Sequence, residues 1–131
     1  MYRIFKRSFN GKCDRVIIIG TDIPTLPVEN IRMAFGKLIK HDIVLGPSID
    51  GGYYLIGLRK LQKEVFVNIN WGTREVFHQT KEIIKTGGLN VSFVPECYDI
   101  DDGEGLNRLI GELKEKNDEI TAFWTRKYLN V

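Results

Sequence analysis

A chain of 131 residues that is 43% apolar and 27% charged has the composition of one soluble globular domain, long enough to bury a core of its own. Its 19 basic and 17 acidic residues leave a net charge of +2. No dense basic patch interleaved with aromatics occurs, so nucleic acid is not an expected partner.

No secretory signal and no bilayer-spanning apolar run is read in the sequence. Cys13 and Cys97 are far apart and form no C-x-x-C pair, so two free thiols in a cytoplasmic protein are expected.

Tyr2, Phe5 and Phe9 stand at helical spacing, and Asn10-Gly11 is a helix stop. Val16 to Ile19 follows, four β-branched residues bounded by charge and by Gly20. Such a run suits a strand buried on both faces of a parallel sheet. Pro27 and Glu29 suit the first turn of a second helix, whose apolar face is Ile31, Ala34, Phe35, Leu38 and Ile39, closing near Lys40-His41. Asp42 to Pro47 is a second strand, which completes a right-handed β-α-β unit. The turn Ser48 to Gly52 is too short for a crossover, so the strand Tyr53 to Leu58 runs back antiparallel and the sheet is mixed.

Lys60 to Asn70 reads as a turn of helix and a loop. Thr73 is the expected N-cap of a helix burying Val76, Phe77, Thr80, Ile83 and Ile84, which ends at Gly87-Gly88. Asn90 to Val94 is a further strand. It leads through Pro95 and Cys97 to Asp99, Asp101 and Asp102 and to a helix carried by Leu106, Leu109, Ile110 and Leu113. Ile120, Phe123, Trp124 and Tyr128 suggest a last helix packed back on the body. No repeat or linker is present.

Asp22 lies just past the carboxyl end of a strand, where ligands gather in open α/β sheets. Asp99, Asp101 and Asp102 follow another strand, and if both strands lie in one sheet the two loops can open on the same edge. Two such loops opening on one edge make an oxygen-rich site suited to Mg²⁺ or Mn²⁺. Asp102 is equally suited to N-cap the helix after it. Asp99 and Asp101 alternate along an extended segment and so share a side. Asp50-Gly51-Gly52 lets a ligand approach the backbone closely, or is a plain hairpin turn. Trp71-Gly72-Thr73 sets an indole beside a helix N-terminus, a place favourable to anions, or is a core Trp next to a cap. His41 and His78 read as structural. No G-x-x-x-x-G-K-[ST], G-x-G-x-x-G or G-x-S-x-G motif occurs.

Four segments occur in order: G-T-D-I-P-T-L (Gly20 to Leu26), D-I-V-L-G-P-S-I-D-G-G-Y-Y-L-I-G-L (Asp42 to Leu58), I-N-W-G-T-R-E-V-F (Ile69 to Phe77) and Y-D-I-D-D (Tyr98 to Asp102). Together they resemble a bacterial glycosyltransferase-like family with the A-type, nucleotide-diphospho-sugar transferase fold, similar to the molybdenum-cofactor and phospholactate nucleotidyltransferases. The resemblance implies an α/β fold with a mixed, mainly parallel sheet flanked by helices. It also implies a nucleotide-activated small-molecule substrate and a divalent cation, Mg²⁺ or Mn²⁺.

Carried over residue by residue, Asp22 matches the metal-coordinating Asp of the G-x-D-x-P motif, with Gly20 and Thr21 on the substrate side. Asp99 and Asp101 match the acidic pair of D-x-D-T-P-E-D-L. Asp50, Gly51 and Gly52 match a substrate-side loop; the resemblance names no catalytic base, and Asp50 is a candidate from its place in that loop. Trp71 and Thr73 match W-x-T. Asp102 and Gly103 stand where Thr and Pro are usual, and Gly105 replaces an acidic residue, while Glu104 and Leu106 are kept.

Family members begin with a strand and a Pro/Gly-rich loop bearing Lys and Arg, whereas Met1 corresponds to the helix that follows. The expected assignment is one domain, 1–131, equivalent to the carboxyl-terminal portion of the fold. It would serve a metal-dependent glycosyl- or nucleotidyltransferase, and the edge of the Val16–Ile19 strand would be left to pair with another chain. The alternatives are an inactive binding module derived from that fold and a Mg²⁺-dependent phosphohydrolase. The latter needs a second acid two residues after its nucleophilic Asp, where Pro24 stands here.

Overall fold

The computed structural model describes residues 1–116 and 120–131. Its elements, in chain order, are α1 (Tyr2–Asn10), β1 (Val16–Ile19), α2 (Val28–Lys37), β2 (Ile43–Pro47), β3 (Tyr53–Leu58), a turn of 3₁₀ helix (Glu64–Phe66), α3 (Val76–Thr86), β4 (Val91–Phe93), α4 (Gly103–Glu115) and α5 (Phe123–Leu129).

The four strands form one sheet in the order β1-β3-β2-β4. β3 runs antiparallel to both β1 and β2, and β2 runs parallel to β4. Three strands therefore share a direction, while two of the three pairings are antiparallel, so the sheet is mixed. β1 and β2 are the parallel pair of the β-α-β unit, but β3 is inserted between them. The short turn before β3 permits only this antiparallel return.

Register sorts the side chains by face. Val16, Leu58, Ile43 and Val91 lie in one cross-strand row, with Ile18, Ile56, Leu45 and Phe93 two residues along. Apart from exposed Phe93, these rows close one core with Phe5 of α1, Val65 of the 3₁₀ turn and Ile84 of α3. The intervening row supplies Ile17 and Val44 to a second core, under Ala34 and Leu38. Between Gly46 and Pro47 the register skips, so Leu55 and then Tyr53 face successive β2 residues. The bulge sends Tyr53 to the first core and Tyr54 to the second.

Several expectations are corrected. β1 is not buried on both faces: it is an edge strand, half-buried, with Ile19 39% exposed. Its apolar run matches a buried strand, but its place in the sheet is decided by β3. The buried line of α2 is Asn30, Ala34 and Leu38, while Phe35 and Ile39 are exposed. The helix is rotated because Asn30 is drawn inward to hydrogen-bond the Tyr54 hydroxyl. Thr73 does not cap α3, which starts at Val76 after Glu75; the Thr73 hydroxyl instead donates to the Asn70 carbonyl at 2.8 Å. The residues expected to pack the last helix on the body, Ile120, Phe123, Trp124 and Tyr128, are exposed instead. None of the residues of α5 is buried, and Phe123 and Trp124 meet edge to face at 5.1 Å with Lys127 over the indole. No helix among the described residues is long and apolar enough to cross a membrane.

Candidate metal centre and adjoining cleft

β1 carries the first acid into place. Gly20 extends the ladder one residue beyond the strand, its N–H donating to the Tyr54 carbonyl at 2.8 Å. A Cβ at Gly20 would lie 2.7 Å from Asp22 Oδ1, so the Asp22 carboxylate folds back over Gly20 and a side chain there would displace it. Buried Ile23 then anchors the loop in the second core.

The second acidic loop is tied down at successive points. The Tyr54 hydroxyl donates to the Pro95 carbonyl at 2.8 Å and accepts from Asn30 Nδ2 at 2.9 Å. Burial, reinforced by neighbouring Cys97, pushes the Tyr54 hydroxyl far above its ordinary range, so it stays a neutral donor. Cys97 prolongs the parallel pairing onto the end of β2: its N–H donates to Pro47, and its carbonyl accepts from Ile49, both at 3.1 Å. Both cysteines are free thiols. Ile100 N–H then donates to the Asp22 carbonyl at 3.1 Å.

Asp99 and Asp101 flank Ile100. Each of Asp22, Asp99 and Asp101 offers a carboxylate oxygen, and these three atoms lie within 4.8 Å of one another. Asp102 turns away to cap α4, its Oδ1 accepting from Gly105 N–H at 2.8 Å. Buried Ser48, at the end of β2, donates its hydroxyl to Asp99 Oδ1 at 3.0 Å.

The cluster repels itself. The Asp101 carboxyl is held above its ordinary value chiefly by the negative charge of Asp99, then by desolvation, and then by Asp22, Asp50 and Asp102. Hard carboxylate oxygens at this spacing, with no cation paired to them among the described residues, suit a hard divalent ion that takes oxygen ligands.

A cleft of about 510 Å³ runs from Asp101 past Asp50, Gly52 and Tyr53 to Trp71, Thr73 and Arg74. Gly51 takes φ +93°, and its Cα faces the Arg74 backbone so closely that no side chain fits. Its carbonyl accepts from Phe77 N–H at 2.9 Å, which docks the turn on the start of α3. Asp50 Oδ1 accepts from Gly52 N–H at 2.8 Å. Trp71, 46% exposed, stands edge-on to Tyr53 at 6.4 Å. Burial pushes the Tyr53 hydroxyl up to about 12, opposed by the neighbouring Thr80 hydroxyl, although neither oxygen completes a hydrogen bond of good geometry.

The N–H groups of Glu75, Val76 and Phe77 donate to Thr73 Oγ1, the Thr73 carbonyl and the Gly51 carbonyl. Three N–H groups at the start of α3 are thus taken by the chain itself, while Trp71 and Thr73 stand on the cleft wall. A second cavity, about 250 Å³, follows the β1 edge from Gly20 past Ile18, Ile19 and Met1 to Tyr54. Thr21 is exposed beside Asp22.

Sequence reasoning singled out Asp22, Asp50, Asp99 and Asp101; the structure brings Asp22, Asp99 and Asp101 together and sets Asp101 and Asp50 on the wall of the cleft. It passed over Ser48 and Arg74. Ser48 sits inside a quoted motif and is a small hydroxyl residue at the end of a buried strand. Arg74 makes no ion pair among the described residues, although it lines a cleft bordered by acids.

Residues 1–73 match the model of a family described as "Uncharacterized protein conserved in bacteria (DUF2064)". No protein of curated function matches the sequence. Among solved structures, the chain is similar to a protein of Desulfovibrio desulfuricans G20 provisionally named a nucleotide-diphospho-sugar transferase. The two share 32% identity and superpose with a TM-score of 0.87. The match covers 98% of this chain and 58% of that one, so this chain spans less than two thirds of that protein. With more than half of its length inside the family model, the chain belongs to this bacterial DUF2064 family, and it carries a transferase-like fold.

Proposed function

We propose that the protein is a metal-dependent transferase acting on a nucleotide-activated small molecule, transferring a glycosyl or nucleotidyl group. The observation that carries this reading is the convergence of Asp22, Asp99 and Asp101 at one end of a cleft wide enough for a small-molecule substrate. Its fold-mate's provisional name supports the substrate class. Asp22, Asp99 and Asp101 are the residues that would hold Mg²⁺ or Mn²⁺. A bound ion would offset negative charge developing on a leaving phosphate.

The chain's own residues supply positioning. Asp22 and the 99–101 segment keep their spacing through the Ile100 to Asp22 main-chain bond. The Asp50-Gly51-Gly52 turn borders the cleft and would orient the acceptor, with Asp50 as the candidate to take its proton. Trp71 and Thr73 form the far wall, where an indole can stack on a sugar ring. Gly20 keeps Asp22 in place, and Thr21 lies beside it on the substrate side.

The open edge of β1, with apolar Ile19 and Met1 exposed along it, would pair with a second copy of the chain. Two free thiols suit a cytoplasmic setting.

The test is a Mn²⁺ titration followed by incubation with nucleoside diphosphate sugars and nucleoside triphosphates, each together with a panel of small hydroxyl- and phosphate-bearing acceptors. Metal-dependent release of the nucleotide or of diphosphate is expected. Metal binding without any turnover would favour a binding module of the same fold.

A further inference from the structure

We infer that Ser48 is a positioning residue of the metal centre, holding Asp99 in the orientation in which it converges with Asp22 and Asp101. The inference rests on the metal-dependent reading above and goes beyond it to a residue that need not touch the ion.

Ser48 is 5% exposed, and its hydroxyl donates to Asp99 Oδ1 at 3.0 Å across 51 positions of sequence. An ionised carboxylate only accepts, so the hydroxyl proton has one direction to point. The backbone of Ser48 is fixed separately: its N–H donates to the Gly52 carbonyl and its carbonyl accepts from Gly51 N–H, both at 3.1 Å. One residue therefore joins the glycine turn of the cleft, through its main chain, to the acidic loop, through its side chain. Removing the hydroxyl leaves the turn's two backbone bonds in place and frees only the Asp99 carboxylate. Groups that orient metal ligands in this way typically govern 10–100-fold in metal affinity.

The experiment measures Mn²⁺ affinity by calorimetry, with free Mn²⁺ followed by its paramagnetic resonance signal. The 131-residue chain is compared with Ser48→Ala, Asp99→Asn, the double variant and Asp22→Asn. The expected result is a loss of about tenfold for Ser48→Ala, with no further loss when it is added to Asp99→Asn. That non-additivity would not appear if Ser48 merely stabilised the fold. Ser48→Cys, similar in size but a poorer donor, should also bind more weakly, and it serves if the alanine variant does not fold.

Equal affinity of wild type and both Ser48 variants, with Asp22→Asn weakened, overturns this inference alone. So does an equal loss from Ser48→Ala in the wild-type and Asp99→Asn backgrounds. Wild type binding no better than Asp22→Asn overturns the metal reading itself, and Ser48's role with it.

Discussion

The N–H of Ile100 donates to the carbonyl of Asp22 at 3.1 Å, so the two acid-bearing loops are joined through main chain. Their spacing is set before any ion arrives. A side-chain change at Asp22 should therefore leave the loops where they are. Asp22→Asn is expected to unfold at nearly the wild-type denaturant concentration and to lose at least about tenfold in Mn²⁺ affinity. Calorimetric titration beside a urea curve checks both halves. Equal Mn²⁺ binding by the two proteins would remove Asp22 from the centre.

Asp101 gives the cluster a pH signature. Its carboxyl sits above the ordinary value of 3.8 because Asp99, Asp22 and Asp50 surround it, so the folded state holds that proton more tightly than the unfolded state does. Stability from this group is present at low pH and is lost as pH rises through the raised value. In metal-free buffer, Asp101→Asn should therefore melt higher than wild type near neutral pH. The difference should vanish below the ordinary value and shrink with added salt. Mn²⁺ should raise the melting temperature of wild type more than that of the variant, and thermal scans over pH and metal test this.

Tyr54→Phe removes the group that holds Pro95 and Asn30 together. Among the described residues the Asn30 side-chain amide would keep only its 3.6 Å contact to Cys97 Sγ, and the Pro95 carbonyl would lose its donor. A loss of about 1–3 kcal/mol is expected for buried partners left unsatisfied. Urea unfolding measures it.

The paired glycines should differ. Gly51 has φ +93° against the Arg74 backbone, so Gly51→Ala combines left-handed strain of about 1–2 kcal/mol with a clash that moves the turn off α3. At Gly52 an added Cβ would meet the Asp50 carboxylate at 3.2 Å, with no positive φ involved. Gly52→Val should then cost less stability than Gly51→Ala, while impairing nucleotide-sugar binding through Asp50. Denaturant curves and ligand titration of both variants separate the two effects.

The β1 edge yields a prediction about assembly. With no strand beyond it among the described residues and Ile19 exposed, wild type is expected to dimerise in light scattering. Ile19→Lys should shift it toward monomer, because edge charge opposes strand pairing. A monomeric wild type would refute pairing at this edge.

Legibility followed the range of the interactions. Val16 to Ile19 announced a strand, and Gly20-Thr21-Asp22 announced a loop at its end, because both signals are local. That one edge of this strand would be open was expected; that β3 would pair its other edge was not, since the residues of β1 do not encode which strand lies beside them. The rotation of α2 was hidden for the same reason: Asn30 looks like a surface residue until Tyr54 is placed beside it. Asp99 and Asp101 were readable from alternation, whereas Ser48 was not, since the partner of its hydroxyl lies 51 positions away. Thr73 resembled a cap but closes a turn with Asn70 two residues earlier than the helix needs.

The chain has two tryptophans, one on each side of a useful division. Trp71 lines the cleft against Tyr53, and Trp124 stands on α5, 74% exposed. Replacing Trp124 by Phe would leave a single indole emitter whose colour and intensity report cleft occupancy, without a dye. Quenching by iodide would then read how far a bound molecule covers that wall.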